Sequence, residues 1–287
     1  MMKSPYWIDG PAVISFSGGR SSAFMLHQII RAHGGTLPDD AKVIFCNTGK
    51  ERPETLDFVQ ECASRWGVHI TWLEWRDKSV FCAAFEVVSH NSAARNGEPF
   101  SALVRKRRLL PNPATRFCTG EMKVKTIERY CKQVLDWSDW SNVVGLRADE
   151  RHRVAKMRRR NDSGKDAWET VLPMAEAEVT KRTVSGFWQR QPFDLGLPNI
   201  KGSTPAGNCD LCFMKGFPTL MGLIRENPES ADWWVEQEAA LTDLVEKTSG
   251  AVFRCDRPAY GKMKQLSQDQ GDFGFEADEG LPCMCTD

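Results

Sequence analysis

The segment that decides the fold spans residues 11–30 and reads PAVISFSGGRSSAFMLHQII. Its apolar run, residues 12–16, is typical of a buried strand, and the part from Ala23 onward carries apolar residues at helical spacing. Between the two lie adjacent glycines, Gly18 and Gly19, flanked by serines. The segment therefore predicts a strand, a glycine-rich turn and a helix. The backbone N–H groups of such a turn can approach phosphate oxygens.

Further strands and helices alternate along the chain. Apolar runs predict strands at residues 42–46, 68–73 and 142–146, and periodic stretches predict helices at residues 53–66, 122–135 and 230–247. Residues 173–188 predict a loop that enters a helix with Thr180 or Thr183 as its N-cap. This alternation predicts an α/β protein with an open, mainly parallel sheet and helices on both faces.

Two stretches depart from this alternation. Residues 78–113 predict an inserted helix with loops, and residues 147–160 predict an arginine-rich charged loop. No internal repeat and no clean linker is visible, which favours one elaborated domain.

Composition restricts the function classes. Lys and Arg number 38, as do Asp and Glu, so the formal net charge is zero and any site for a polyanion must be local. Hydrophobic residues make up 41% and charged residues 26%, which is ordinary for a folded globular protein. No run of about 18 apolar residues occurs. We therefore expect a cytoplasmic protein with no membrane partner.

Five segments in order resemble one family. The five segments are residues 15–22, 47–49, 53–55, 116–119 and 145–150. Lys123 accompanies the fourth segment and Arg153 the fifth. The spacing of the first is neither that of P-loop NTPases nor that of dinucleotide-binding folds. Together, over residues 12–216, the segments resemble the phosphoadenylylsulfate (PAPS) reductase branch of the PP-loop ATP-pyrophosphatase superfamily, whose members are related to adenine nucleotide alpha hydrolases.

The resemblance implies an adenine nucleotide, ATP or PAPS, usually with Mg²⁺, and a PP-loop (HUP-like) fold. The phosphates of the nucleotide would lie on Ser15, Ser17, Gly18, Gly19, Arg20, Ser21 and Ser22. The adenosine of the nucleotide would lie near Asn47, Thr48 and Gly49. Lys123 and Arg147 would be catalytic cations, a point charge and a bidentate fork. Residues 1–216 would form the nucleotide-binding domain, and residues 217–287 a helical, cysteine-bearing extension packed on it. Ser21 stands where the superfamily often has Asp.

Ten cysteines are many for a chain kept in reducing conditions. Cys209 and Cys212 form a C-x-x-C pair in a stretch rich in Gly and Pro, which suits a redox dithiol, half of a zinc site or half of an iron–sulfur site. Four others in apolar or helical contexts are assigned to the core: Cys46, Cys62, Cys82 and Cys131.

The resemblance also implies a [4Fe-4S] cluster, with zinc as the alternative metal. Its ligands would be Cys118, Cys209, Cys212 and Cys283, with Cys285, Cys255 or an open iron position as alternatives for the fourth. The tail lacks the Glu-Cys-Gly-Ile-His ending of cluster-free PAPS reductases. Cys285 could instead act as a mobile catalytic thiol.

Three functions remain open from the sequence. The first is adenylation-coupled sulfur transfer by a sulfurtransferase, which needs a sulfur donor and has a nucleic acid among its candidate acceptors. The second is an oxidoreductase that reduces PAPS or adenylylsulfate to sulfite with a thiol reductant. The third is a nucleic-acid-binding module, suggested by the basic residues 105–108 and 147–160. A homodimer is compatible with each.

Overall fold

The computed structural model describes residues 3–164, 166–246 and 250–269. Its strands are β1 (Ala12–Ser15), β2 (Ala41–Asn47), β3 (Ile70–Trp75), β4 (Phe85–Val88), β5 (Trp140–Val143) and β6 (Trp168–Val171). They form a six-stranded sheet in the order β4-β3-β2-β1-β5-β6. All neighbours pair in parallel except β3 and β4, which are antiparallel. The predicted α/β class with a mainly parallel sheet is confirmed.

Helices surround the sheet. The described α-helices are α1 (Arg20–Ala32), α2 (Pro53–Trp66), α3 (Glu98–Arg107), α4 (Phe117–Thr119), α5 (Lys125–Gln133), α6 (Arg151–Asp162), α7 (Pro173–Glu176), α8 (Lys181–Trp188), α9 (Phe217–Glu226), α10 (Asp232–Leu244) and α11 (Tyr260–Asp269). A π-helical segment, Gly120–Val124, joins α4 to α5. A 3₁₀ turn, Pro228–Ala231, precedes α10. Thr180 is the N-cap of α8 and forms a capping box with Thr183.

The two faces of the sheet pack against different helices. Ile14 and Phe45 belong to a large core shared with α1 and α2. Their neighbours Val13 and Ile44 point to the other face, where they pack with Cys131 of α5. Alternate residues of a strand face opposite sides, and burial on both faces explains why β1 and β2 read as continuous apolar runs.

The C-terminal helices share the large core. Trp234 on α10 is fully buried and stacks on Tyr260 of α11, with ring centroids 5.2 Å apart. Phe253, in the loop between these helices, contacts both rings. Helices α9, α10 and α11 therefore pack on the part of the chain that is predicted from the sequence to bind the nucleotide.

Glu238 is the polar anchor of this C-terminal region. It is buried on α10, and its two carboxylate oxygens accept hydrogen bonds from the backbone N–H groups of Phe253 (3.2 Å) and Tyr260 (2.9 Å). Burial raises the pKa of Glu238, and the two N–H groups oppose that rise. One side chain thus satisfies two backbone donors that would otherwise be buried without a partner.

Several expectations about local structure need correction. The arginine-rich stretch predicted as a loop forms α6 over most of its length, because a helix that buries Val154 alone shows no apolar periodicity. The strands β4 and β6 were not predicted; both are four residues long and lie at the sheet edges. Cys82 is exposed, so its assignment to the core is wrong.

Other expectations hold with shifted boundaries. Cys46, Cys62 and Cys131 are buried, as predicted. The helix expected over residues 122–135 begins as the π-helical segment and becomes regular at Lys125. Among the described helices, none is long and apolar enough to cross a membrane.

We expect Glu238→Ala to lower the free energy of unfolding by about 2–5 kcal/mol, because it leaves two buried N–H groups without an acceptor. Urea unfolding followed by tryptophan fluorescence measures this loss. The control is Glu236→Ala, an exposed position on the same helix, for which we expect a change within about 0.5 kcal/mol. Equal effects of the two substitutions would show that Glu238 does not anchor the region.

Candidate functional site

Hydrogen bonds of Ser17 and Ser22 fix the conformation of the loop between β1 and α1. The Ser17 N–H donates to Ser22 Oγ (3.2 Å), the two hydroxyl oxygens lie 2.9 Å apart, and Ser22 Oγ donates to the Gly19 carbonyl (3.0 Å). Gly19 is the N-cap of α1 and offers no side-chain acceptor to the first turn. The N-terminal N–H groups of α1 therefore keep donor capacity for an anion.

Gly18 is required by both conformation and space. Its φ is +78°, and a Cβ there would lie 2.7 Å from Thr55 Cγ2 on α2. Gly19 has an ordinary φ of −96°, and a Cβ would meet nothing closer than Ser17 Oγ at 3.6 Å. The two glycines thus have different roles, which the sequence alone does not separate.

The Arg20 side chain is used inside the fold. It is 7% exposed, and its guanidinium donates to the Asp194 carboxylate, to Thr204 Oγ1 (2.8 Å) and to the Leu197 carbonyl (2.7 Å). Because the guanidinium is used in these bonds, only the backbone of Arg20 remains for the contact with a nucleotide that the sequence predicts. The guanidinium fixes residues 194–204 against the phosphate loop.

Arg147, which follows β5, reaches the same loop. Its guanidinium donates to Ser21 Oγ (3.0 Å) and to Asp149 (3.0 Å), and Glu150 lies 3.5 Å away. Ser21, at the position where the superfamily often has Asp, therefore serves as the contact for an arginine. The predicted cation Arg147 and the predicted phosphate loop are next to each other.

A cavity of about 130 Å³ lies on one face of the sheet near the carboxyl ends of its strands. Its lining residues include Ser15 and Ser17 from β1 and the loop, Asn142 from β5, and Lys123 from the π-helical segment. It lies between α5 and α6, where the strand order turns from β1 to β5. Ligands of open α/β sheets bind at such switch points.

The cavity has apolar walls with a few polar groups. Ile44, Ile127, Val144 and Met157 contribute apolar surface, and Trp140 and Trp168, stacked 5.4 Å apart, lie on its β5–β6 side. Ser15 Oγ donates to Asn142 Oδ1 (2.8 Å). The volume is comparable with the roughly 150 Å³ cavity that holds one benzene ring. The cavity therefore suits a planar ring whose polar substituents point toward the loop.

A chain of polar contacts leads from this cavity to Cys209. Lys123 Nζ lies 3.9 Å from Glu51 Oε1, Glu51 Oε2 accepts from Thr48 Oγ1 (2.8 Å), and Thr48 Oγ1 lies 3.4 Å from Cys209 Sγ. Glu51 is 5% exposed, and its Oε1 accepts no hydrogen bond within the described residues. A partly exposed cysteine and a cavity-lining lysine are thus connected through one buried carboxylate.

The segment Asn47-Thr48-Gly49 is turned inward. The Asn47 amide donates to Glu74 (2.6 Å) and to the Ala94 carbonyl (2.8 Å), and its Oδ1 accepts from the Gly49 N–H (3.1 Å). From β2, Ile44 and Cys46 line the cavity rather than these three residues. The adenosine position predicted near Asn47 therefore lies outside this cavity and stays a prediction.

Three of the four predicted cluster ligands, Cys118, Cys209 and Cys212, lie within the described residues. No group of three or more Cys, His, Asp or Glu side chains suited to a metal occurs in residues 3–164, 166–246 and 250–269. Cys118 and Cys209 are partly buried and Cys212 is buried. Cys283 and Cys285 lie outside the described residues, and Cys255 is exposed. The [4Fe-4S] cluster and its four ligands therefore stay a prediction from the sequence.

Sequence reasoning missed several residues of this site. Glu51 and Asp194 are acidic residues in stretches without a motif, a pattern typical of exposed positions. Asn142 opens the predicted strand 142–146. The sequence contained one hint of its role, because a polar residue here stands in an otherwise apolar strand, near the carboxyl end of β5.

Comparison with known proteins identifies the family. The phosphoadenosine phosphosulfate reductase domain matches residues 11–191. This chain belongs to that family. The match covers β1 to β6, the phosphate loop, Lys123 and Arg147, and it ends before the C-x-x-C pair.

One curated protein and one solved structure are similar to this chain. The uncharacterized nin region protein ORF290 of Escherichia phage lambda is 26% identical over 218 residues, which span 71% of this chain and 66% of that protein, just under two thirds of its length. The solved structure of the U34-tRNA thiolase NcsA from Methanococcus maripaludis with its [4Fe-4S] cluster covers 83% of this chain and 73% of its own, at 12% identity and a TM-score of 0.41. So distant a likeness says nothing about the chemistry of this chain.

We expect Gly18→Ala to destabilise the protein by about 1–3 kcal/mol, because a side chain at this φ is strained and its Cβ collides with Thr55. Gly19→Ala is the matched control and should be close to neutral. Thermal unfolding of both variants measures the difference. The contact geometry would be refuted by variants of equal stability.

The Arg20–Asp194 pair predicts a pH-dependent contribution to stability. Burial by itself raises the pKa of Asp194, but Arg20 and nearby N–H groups lower it below its ordinary value. A lowered carboxyl pKa stabilises the fold above the unfolded pKa of about 4, and this contribution is lost as the pH falls through the folded pKa.

Accordingly, Asp194→Asn should lower the free energy of unfolding at pH 7, and its difference from wild type should shrink toward pH 3. Urea titrations across this range measure the difference. Asp39→Asn, which removes an exposed carboxylate, is the control and should change little at any pH. A difference that is constant with pH would contradict the role of the ionised pair.

Proposed function

We propose that this chain binds ATP and uses it to adenylate an acceptor oxygen, which sulfur then replaces. The observation that carries the proposal is the junction of the cavity with the phosphate loop. Ser15 and Ser17 belong to both, and Lys123 lines the same space. A base in the cavity would thus place its phosphates over the N-terminus of α1, where backbone donors face an anion.

The cavity offers the groups that a nucleobase needs. Its walls are largely apolar, which suits a planar ring. Asn142 Oδ1 is engaged by Ser15, whereas the Asn142 Nδ2 has no hydrogen-bond partner within the described residues and can donate to a ring nitrogen. The base would therefore be recognised by Asn142 near the carboxyl end of β5, beside the point where the strand order of the sheet turns.

The phosphate end combines three sources of positive potential. These are the N-terminus of α1, the Arg147 guanidinium on Ser21, and the Lys123 ammonium at the cavity. In an adenylation the acceptor oxygen attacks the α-phosphorus, the bond to the β-phosphate oxygen breaks, and pyrophosphate leaves. The positive groups would stabilise the charge that develops on the leaving pyrophosphate.

Sulfur enters in the second step of the proposal. A sulfide sulfur, or the outer sulfur of a cysteine persulfide, attacks the acceptor carbon, and AMP leaves with the original oxygen, so that a C–O bond is exchanged for a C–S bond. With free sulfide this gives the thiolated product directly. With a persulfide the product is first a disulfide to the cysteine, and a thiol reductant then cleaves that S–S bond and releases the product. Cys209 is the candidate to carry a persulfide, because it is partly exposed and lies at the end of the chain of contacts from Lys123. Cys285, outside the described residues, stays a sequence prediction for this role.

No step of this scheme passes through an iron–sulfur cluster. In this scheme residues 1–216 bind the nucleotide and the extension after residue 216 braces them. Reduction of PAPS to sulfite is the alternative reaction. It is favoured by the family match, and it would use the same cavity and loop with a thiol attacking the sulfate sulfur.

The test begins with the nucleotide. We expect the purified chain to bind MgATP in isothermal titration, and to form no sulfite from PAPS in the presence of a dithiol. Lys123→Ala should weaken ATP binding about 10–100-fold, because a charged hydrogen bond to phosphate contributes roughly 1.5–3 kcal/mol. The control is Lys125→Ala, exposed two residues away, with an effect below about twofold.

Each other outcome is informative. Sulfite formed from PAPS would replace the ATP-dependent reaction with the reductase. Failure to bind either nucleotide would remove the proposal, and so would equal loss in the two lysine variants. Release of pyrophosphate from ATP, measured with candidate acceptors and sulfide, then identifies the acceptor.

A further inference from the structure

Helix α6 carries an excess of positive charge on its exposed side. Arg151, Lys156, Arg158 and Arg159 are exposed, and within the described part of the chain none of the four has an ion pair or a side-chain hydrogen bond. This is notable in a chain whose formal net charge is zero. The four cations lie within nine consecutive residues.

The remaining cations of α6 are neutralised. Arg153 pairs with Glu150 and Arg160 pairs with Asp166. The exposed four include Lys156 and Arg159, which are spaced i,i+3, where like charges repel and weaken a helix. Arg159 lies in the last turn, where a cation is favourable for the helix dipole, but its repulsion with Lys156 remains, and a partner of opposite charge would relieve it.

The other basic run of the chain is different. Around the end of α3, Lys106 pairs with Asp77 (2.9 Å), Arg107 pairs with Glu121, and Arg108 donates to the Leu244 carbonyl (2.9 Å). These cations hold parts of the fold together. Both runs are strongly basic in the sequence, but four of the six cations of α6 have no acidic partner within the described residues.

Helix α6 also forms a wall of the cavity. Met157 and Arg160 line it, while the four exposed cations lie on the same helix. A polyanion bound to those cations would thus contact the helix that forms one wall of the candidate site. The position links the charged surface to the candidate site.

The chemistry of α6 favours one kind of polyanion. Its exposed residues include no Phe, Tyr or Trp, whereas proteins that bind single strands stack bases on aromatic rings. It lacks the exposed apolar face of a helix that binds membranes. Its twelve residues extend about 18 Å, and a helix of this kind fits the major groove of B-form DNA but not the narrow one of A-form RNA.

We propose that the exposed face of α6 binds the phosphate backbone of duplex DNA. The interaction is sequence-independent to the extent that it uses phosphates alone. It goes beyond the proposed function, and it requires neither a nucleotide in the cavity nor a reaction.

The experiment is fluorescence anisotropy of the full chain with a labelled 20-base-pair DNA duplex, without nucleotide, from 50 to 200 mM salt. The test variant is Lys156→Gln, Arg158→Gln and Arg159→Gln combined, since glutamine keeps the helix propensity. The matched control combines Arg105→Gln, Arg182→Gln and Lys262→Gln, three exposed cations on α3, α8 and α11. Both variants change the net charge by the same amount.

We expect the α6 variant to bind the duplex at least about tenfold more weakly at 50 mM salt, with its salt slope reduced by about one unit for each phosphate that it no longer neutralises. The control should stay within about threefold of wild type. Circular dichroism and thermal unfolding confirm that both variants are folded. ATP titration of the same preparations reports separately on the proposed function.

Three results would overturn the proposal. The first is a wild-type chain that does not bind the duplex at 50 mM salt. The second is an equal loss in both variants, which would indicate a diffuse charge effect. The third is tighter binding of single-stranded RNA, of vesicles of phosphatidylserine and phosphatidylcholine, or of a polyglutamate peptide than of the duplex.

Discussion

The contact of Arg20 with Asp194 determines how the rest of the candidate site is assembled. Arg20 is the first residue of α1, and its buried guanidinium needs acceptors, because a buried charge without a partner is costly. Asp194, Thr204 and the Leu197 carbonyl supply them from a segment more than 170 residues away in the chain. That segment leads to Cys209, whose backbone forms an isolated antiparallel β-bridge with the backbone of Glu51, just after β2. Arg20 thus fixes residues 194–204 against the phosphate loop, and the ion pair of Lys50 with Asp210 (3.0 Å) holds the C-x-x-C pair near the end of β2.

The cavity follows from the order of the strands. β2 and β3 lie on one side of β1, and β5 and β6 lie on the other. On the face where α5 packs against Val13 and Ile44, α6 packs near β6 instead, so the two helices are separated over β1 and β5. Space remains where they part, next to the loop that begins α1. A ligand site at this point is thus a consequence of topology, while the identity of the ligand depends on the side chains that line it.

Buried carboxylates fix the backbone of loops near the candidate site and in the C-terminal region. Glu51 accepts from the Thr48 N–H, Glu74 accepts from the Ala94 N–H, and Glu238 accepts from two N–H groups near the C-terminal helices. Loops lack the regular partners of a helix or a sheet, so each buried N–H needs an acceptor from a side chain. A carboxylate that accepts such bonds fixes the loop in one conformation. Fixed loops are what a binding site requires, because groups that are already in place need no ordering when the ligand arrives.

The sequence predicts the elements whose signal is local. The strand, turn and helix of residues 12–32 could be predicted because buried parallel strands are continuous apolar runs and glycine marks the turn. Glu51, Asp194 and the cavity between α5 and α6 could not, since each depends on contacts between distant segments. The charges show the same limit most clearly. Residues 105–108 and 151–160 are both strongly basic in the sequence. The fold places Asp77 and Glu121 beside the first run, and within the described residues it leaves the second with acidic partners at Arg153 and Arg160 only. A count of cations therefore measures what a surface could attract, and the placement of the acids decides how much of that attraction is already used within the chain.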